Sequence, residues 1–218
     1  MATDRLLPVL LLALTAVTGL VDAVSYLALG HVFTANMTGN VVFLGFAMAE
    51  APGLSIARSG VALAAFLVGA TLGGRLALRA GDRRRWTSIG FGSEALLLLL
   101  GALLAARADS DLLGDPPRLY GLIALTGMAM GVRNAVVRKL AERDLTTTVL
   151  TLTITGIAAD SPLAGGANLG WPRRALSVGL MFAGAVAGAW LLRFSLALPL
   201  AVSGVIAGLC ALSTATRD

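Results

Sequence analysis

Six stretches of this chain are apolar and long enough to cross a bilayer, and that decides most of what it can fold into. They are residues 6–29, 58–80, 87–106, 118–139, 175–193 and 196–214. With a rise of about 1.5 Å per residue, some 20 helical residues cover the roughly 30 Å of hydrocarbon. A backbone in lipid must satisfy its own hydrogen bonds, so such stretches are read as helices. Composition agrees. The chain is 57% hydrophobic and 13% charged, against about 45–50% and about 25% for a soluble domain. In 218 residues these spans leave no room for a separate soluble domain. The expectation is an all-α polytopic membrane helix bundle, one transmembrane domain over residues 1–218. A disordered chain, a disulfide scaffold and an ordinary cytosolic enzyme are excluded.

Two further apolar stretches, 33–49 and 146–160, are short and dense in Thr or Asn. They suit re-entrant or broken helices buried in a bundle. The basic residues test this. With six crossings and an inside N-terminus, 12 lie inside: Arg5, Arg75, Arg79, Arg83, Arg84, Arg85, Arg138, Lys139, Arg143, Arg173, Arg174 and Arg217. Only 4 lie outside: Arg58, Arg107, Arg118 and Arg193. Eight crossings give at best 9 against 7. The bias of basic residues towards cytoplasmic loops therefore selects six spans with both termini cytoplasmic. The acidic loop of Asp109, Asp111 and Asp115 then falls outside. Arg5 and the apolar run after it resemble a signal peptide, but the run continues to Leu29 and is read as the first span.

The chain also resembles itself. Thr15-x3-Gly19-x2-Asp22-Ala23-Val24 aligns with Gly127-x3-Gly131-x2-Asn134-Ala135-Val136. The 35–40 block aligns with 148–153, and Gly69-Ala70-x2-Gly73 with Gly184-Ala185-x2-Gly188. This predicts two repeats, 1–113 and 114–218. Three spans per repeat is an odd number, so the second copy runs through the membrane inverted. Transporters of this plan hold their sites near the midplane, on discontinuous segments at matching places. The two short polar stretches occupy those places.

Asp22 is the first candidate site residue. A carboxylate within a span costs at least about 2.5–3.5 kcal/mol on insertion scales and is kept only if paired, protonated or functional. It is read as a proton or cation site, or as the counter-ion of Arg133. Tyr26 shares its helical face. Thr34, Asn36, Thr38, Gly39 and Asn40 form the densest polar cluster, where Gly39 permits a backbone break. Asn134, Thr148 and Thr151 are the second copy, with Thr146, Thr147 and Thr153 beside them. Glu94 has no acidic counterpart in the other half; it is read as pairing with an Arg or lining the same cavity, or else as a structural ion-pair or interfacial residue. His31 is read as interfacial. The Gly-x3-Gly faces are read as packing surfaces, with a homo-oligomer as one use.

The single Cys210 and single His31 exclude an intrachain disulfide and a Cys- or His-built metal site. No metal, cofactor or nucleic-acid partner is expected, and no hydrolase, metalloprotease or phosphate-loop motif points to an enzyme.

The run Val21-Asp22-Ala23-Val24-Ser25-Tyr26, then His31-Val32-Phe33-Thr34-Ala35-Asn36-Met37-Thr38-Gly39-Asn40, resembles the signature of the YoaK-like family of bacterial membrane proteins. Gly131-Val132-Arg133-Asn134-Ala135 with Thr147-Thr148-Val149-Leu150-Thr151 resembles its second block. Relatives often carry Thr-Gly where this chain has Thr151-Leu152. The resemblance implies a six-span bacterial inner-membrane protein of unassigned function. The residues themselves point to passage of a small solute or ion through the bilayer. A channel is the first alternative, and a non-transporting scaffold or partner-binding protein the second.

Overall fold

The computed structural model describes residues 2–79, 81–107, 112–141, 147–148 and 150–216, without the side chains of residues 2–5. Arg143, Asp109, Asp111, Thr146, Val149 and Arg217 lie outside the described residues, as does the side chain of Arg5.

The fold is all-helical. In chain order the α-helices are α1 (Ala2–Ala28), α2 (Met37–Met48), α3 (Ile56–Arg79), α4 (Arg83–Ala106), α5 (Pro116–Leu140), α6 (Thr151–Ala159), α7 (Trp171–Leu191) and α8 (Ala197–Ala215), with a 3₁₀ turn at Pro162–Ala164. Local chemistry sets several ends. Asp82 caps α4 by accepting from the Arg85 N–H at 3.2 Å. Asp115 caps α5, whose first turn carries prolines that have no N–H to leave unsatisfied. α1 ends at Gly30 and His31, whose φ values of 81° and 57° are left-handed and cannot continue a helix.

Among the described residues, six helices are long and apolar enough to cross a membrane: α1, α3, α4, α5, α7 and α8. α2 has 12 residues and α6 has 9. At about 1.5 Å per residue neither reaches across roughly 30 Å. Both are also shorter than the polar stretches that contain them. Phe33 to Asn36 is non-helical, and α6 begins only at Thr151. The count is therefore six spans with two short helices.

α1 packs on α7, α3 on α5, and α4 on α8; α4 also meets α5, and α1 meets α8. α2 lies on α3, and α6 on α7. α1 and α5 are the most buried spans, α3 and α7 the most exposed. The close crossings are made by glycine. A Cβ on Gly19 would overlap the Met181 carbonyl and Ala185 amide of α7. A Cβ on Gly131 would overlap the Phe66 carbonyl and Ala70 amide of α3. Gly184 sits on the Ala16 carbonyl as Gly69 sits on that of Met128, and Gly188 on Leu20 and Ala23 as Gly73 on Val132 and Ala135. Gly69, Gly73, Gly131, Gly184 and Gly188 thus pack on backbone of the same chain, as the packing reading of these faces expects.

Candidate functional site

The interior of the bundle holds charge. Arg133 on α5 and Glu94 on α4 are both fully buried, at 0% exposure. Arg133 Nη1 lies 3.3 Å from Glu94 Oε1. The same nitrogen donates to the Leu14 carbonyl of α1 at 2.6 Å. Nη2 donates to the Thr18 hydroxyl at 2.9 Å and faces Met130 Sδ. Thr18 in turn donates to the Thr147 carbonyl at 2.7 Å. A connected path thus runs from Glu94 through Arg133 and Thr18 to the stretch before α6. Thr147 is buried with φ at 62°. A β-branched residue rarely takes that conformation, and here it presents the carbonyl to Thr18.

Neither Glu94 oxygen receives a hydrogen bond, and neither does Asp22 Oδ1; all three atoms are buried. The Asp22 carboxylate accepts the Ala35 N–H. Its counterpart in the second half is Asn134, whose Oδ1 accepts from the Thr148 hydroxyl at 2.6 Å. So the stretch before α2 docks on the residue at 22, and the stretch before α6 on the residue at 134. Arg133 acts electrostatically on both carboxylates, but its ion pair is with Glu94.

The remaining site residues predicted from sequence are mostly spent locally. Asn36 caps α2, accepting weakly from the Gly39 N–H at 3.4 Å. Asn40 is buried and closes a ring with Phe33, accepting its N–H at 3.0 Å and donating to its carbonyl. Thr34 is buried, with no partner for its hydroxyl. Thr38 and Thr151 are exposed. Tyr26 stacks on Phe33, with ring centroids 5.3 Å apart, and meets His31 edge-on at 5.1 Å. The backbone break expected at Gly39 lies earlier, at Gly30 and His31. Gly39 is helical instead, and a side chain there would strike the Phe33 ring.

Arg133, Asn134, Thr148 and Asp22 are thus brought to the docked stretches, whereas Asn36 and Asn40 bond within residues 33–40 and Thr38 and Thr151 are exposed. Glu94 and Thr18 join this centre from outside the sequence-predicted site residues. Glu94 had a visible signal, a lone carboxylate inside an apolar span, as at Asp22. Thr18 had a weaker one: it lies one turn before Asp22 on the same face.

Residues 10–213 match a family described as "Protein of unknown function (DUF1275)". The chain is 35% identical over 154 residues to the UPF0700 transmembrane protein YoaK of Bacillus subtilis (strain 168). That alignment covers 69% of this chain and 64% of the relative, so the chain matches just under two thirds of that protein's length. No solved structure matches.

Proposed function

The chain belongs to the DUF1275 family, and from that premise, its six spans and its buried charges we propose that it is a membrane carrier of a small solute or ion. The reading is of a transporter and not of an enzyme. It puts the protein in the bacterial inner membrane with both termini cytoplasmic, a reading that the bias of the basic loops supports.

The observation that carries the reading is the state of the central charges. Two carboxylates, Asp22 and Glu94, stand against one guanidinium; Asp22 Oδ1 and both Glu94 oxygens are buried without a hydrogen bond, and of these only Glu94 Oε1 has the ion pair to Arg133. A purely structural ion pair is expected to be satisfied, and a buried polar atom without a partner calls for an ion, a water or a functional role. Intramembrane ionisable groups in excess of their partners mark ion and solute paths.

The reading includes an inverted repeat. Its support is the pairing of contacts: α1 on α7 answers α5 on α3, and the crossings at Gly19, Gly69 and Gly73 have counterparts at Gly131, Gly184 and Gly188, 112 or 115 residues on. The stretches before α2 and α6 dock on equivalent residues of the first span in each half. A carrier fits better than a channel, because Arg133, Glu94 and Thr18 are fully buried and close the centre.

Currents on a solid-supported membrane bearing the reconstituted full chain, after jumps in H⁺, Na⁺ and K⁺ concentration, test this. The expected result is transient charge movement in the wild type that is lost in Glu94→Gln. A folded protein that moves no charge under any of these jumps overturns the ion-coupled reading and leaves the scaffold.

A further inference from the structure

A lateral groove of ≈ 390 Å³ opens between α1 and α7, within the roughly 300–1,000 Å³ range of small-molecule sites. Asp22, Tyr26 and Phe33 form one wall; Phe182 and Val186 form the other. Phe182 and Val186 are 71% and 53% exposed on a span, so the mouth of the groove faces lipid. Among the described residues Asp22 is the only charged one in the lining. Its Oδ1 is buried and accepts no hydrogen bond. The guanidinium that acts on it, Arg133, is paired with Glu94. Beside the carboxylate, Tyr26, Phe33 and Phe43 make a stacked aromatic group, with centroids 5.3 Å apart for the first pair and 5.6 Å for Phe33 and Phe43.

A carboxylate with one oxygen left without a hydrogen bond, beside aromatic rings and at the wall of an apolar groove open to the bilayer, selects for one ligand chemistry. A hydrated metal ion would lose its water with only one carboxylate to replace it. An anion would be repelled. A cation with apolar substituents satisfies both parts, since its charge meets the carboxylate and the ring faces while its body covers the apolar wall. We propose that this groove binds an organic cation that bears apolar groups and enters laterally from the bilayer, with Asp22 as its counter-ion. The inference rests on the carrier reading and names the class of solute that it moves.

Binding of tetraphenylphosphonium to the purified full chain in lipid nanodiscs tests it, with tetraphenylborate as the probe of equal shape and opposite charge. The expected result is saturable binding of the cation and none of the anion. Asp22→Asn is expected to weaken binding by roughly ten- to a hundredfold, the loss for one charged contact. Val186→Trp fills the groove from its lipid-facing wall without touching the carboxylate, and is expected to weaken binding too. It serves as the test should Asp22→Asn fail to fold. Equal binding of both probes, unchanged binding in both variants, or a native mass showing a second copy seated over the groove each overturns the proposal. Binding without uptake into proteoliposomes keeps this site and removes the carrier reading. Ion-driven currents without tetraphenylphosphonium binding keep the carrier reading and remove this site.

Discussion

At the scale of single residues, the centre is governed by the cost of charge in a dry interior. Arg133 is held by the Leu14 carbonyl, Thr18 and Glu94. Arg133→Met leaves Glu94 buried without a partner and is expected to destabilise the protein by about 3–5 kcal/mol. The double variant Arg133→Met with Glu94→Gln is expected to regain most of that, because neither charge is then stranded. Thermal unfolding in detergent of the two singles and the double measures the coupling; equal loss in the double would show that the pair does not act as a unit. Thr18→Val removes the link between Arg133 and the Thr147 carbonyl. The expected cost is about 1–3 kcal/mol, since it leaves a buried carbonyl unpaired. Much of this was legible in sequence as residue type: a lone Asp, Glu or Arg inside an apolar span cannot be incidental. Which partner each one takes was not legible, because Glu94 and Arg133 are brought together by the packing of α4 on α5.

At the scale of elements, helix length decides between spanning and returning. α2 and α6 are too short to cross. His31 and Glu50, exposed at either end of the α2 region, are therefore expected on the same side of the membrane. Single cysteines placed at His31 and Glu50 in a Cys210→Ser background test this with a membrane-impermeant maleimide. Both are expected to label from one side, and labelling from opposite sides would mean that α2 crosses. Helix approach is the second element-scale determinant. Gly19→Val and Gly131→Val push α1 from α7 and α5 from α3, where a side chain has backbone in its way. Each is expected to lower stability by roughly 1–3 kcal/mol or more, the range for overpacking. Gly60→Ala and Gly179→Ala meet nothing within 4 Å, so unfolding temperatures near the wild type are expected for both. The spans were readable from apolar length. The starts of α2 and α6 were not, because Phe33-Thr34-Ala35 and Thr147-Thr148 are of the same residue types as the helices that follow.

At the scale of the whole molecule, α4 and α8 join two helix pairs, α1 with α7 and α3 with α5, each pair taking one helix from either half of the chain. Neither half can therefore bury its glycine faces alone. Co-expressed pieces cut in the 107–116 connection are expected to reassociate into a complex that co-purifies, and each piece alone is expected to aggregate. Recovery of a stable, monodisperse first half would refute this intertwined packing. The sequence by itself determined the membrane class, the six spans and the residues too costly to be incidental, because bilayer thickness and desolvation act on length and residue type along the chain. Only the tertiary structure decided that the glycine faces are consumed internally, that Asn36 and Asn40 serve α2 itself, and that Arg133 pairs with Glu94 while Asp22 faces a groove. Those outcomes depend on which helices meet and at what distance, and contact between residues far apart in sequence leaves no local mark.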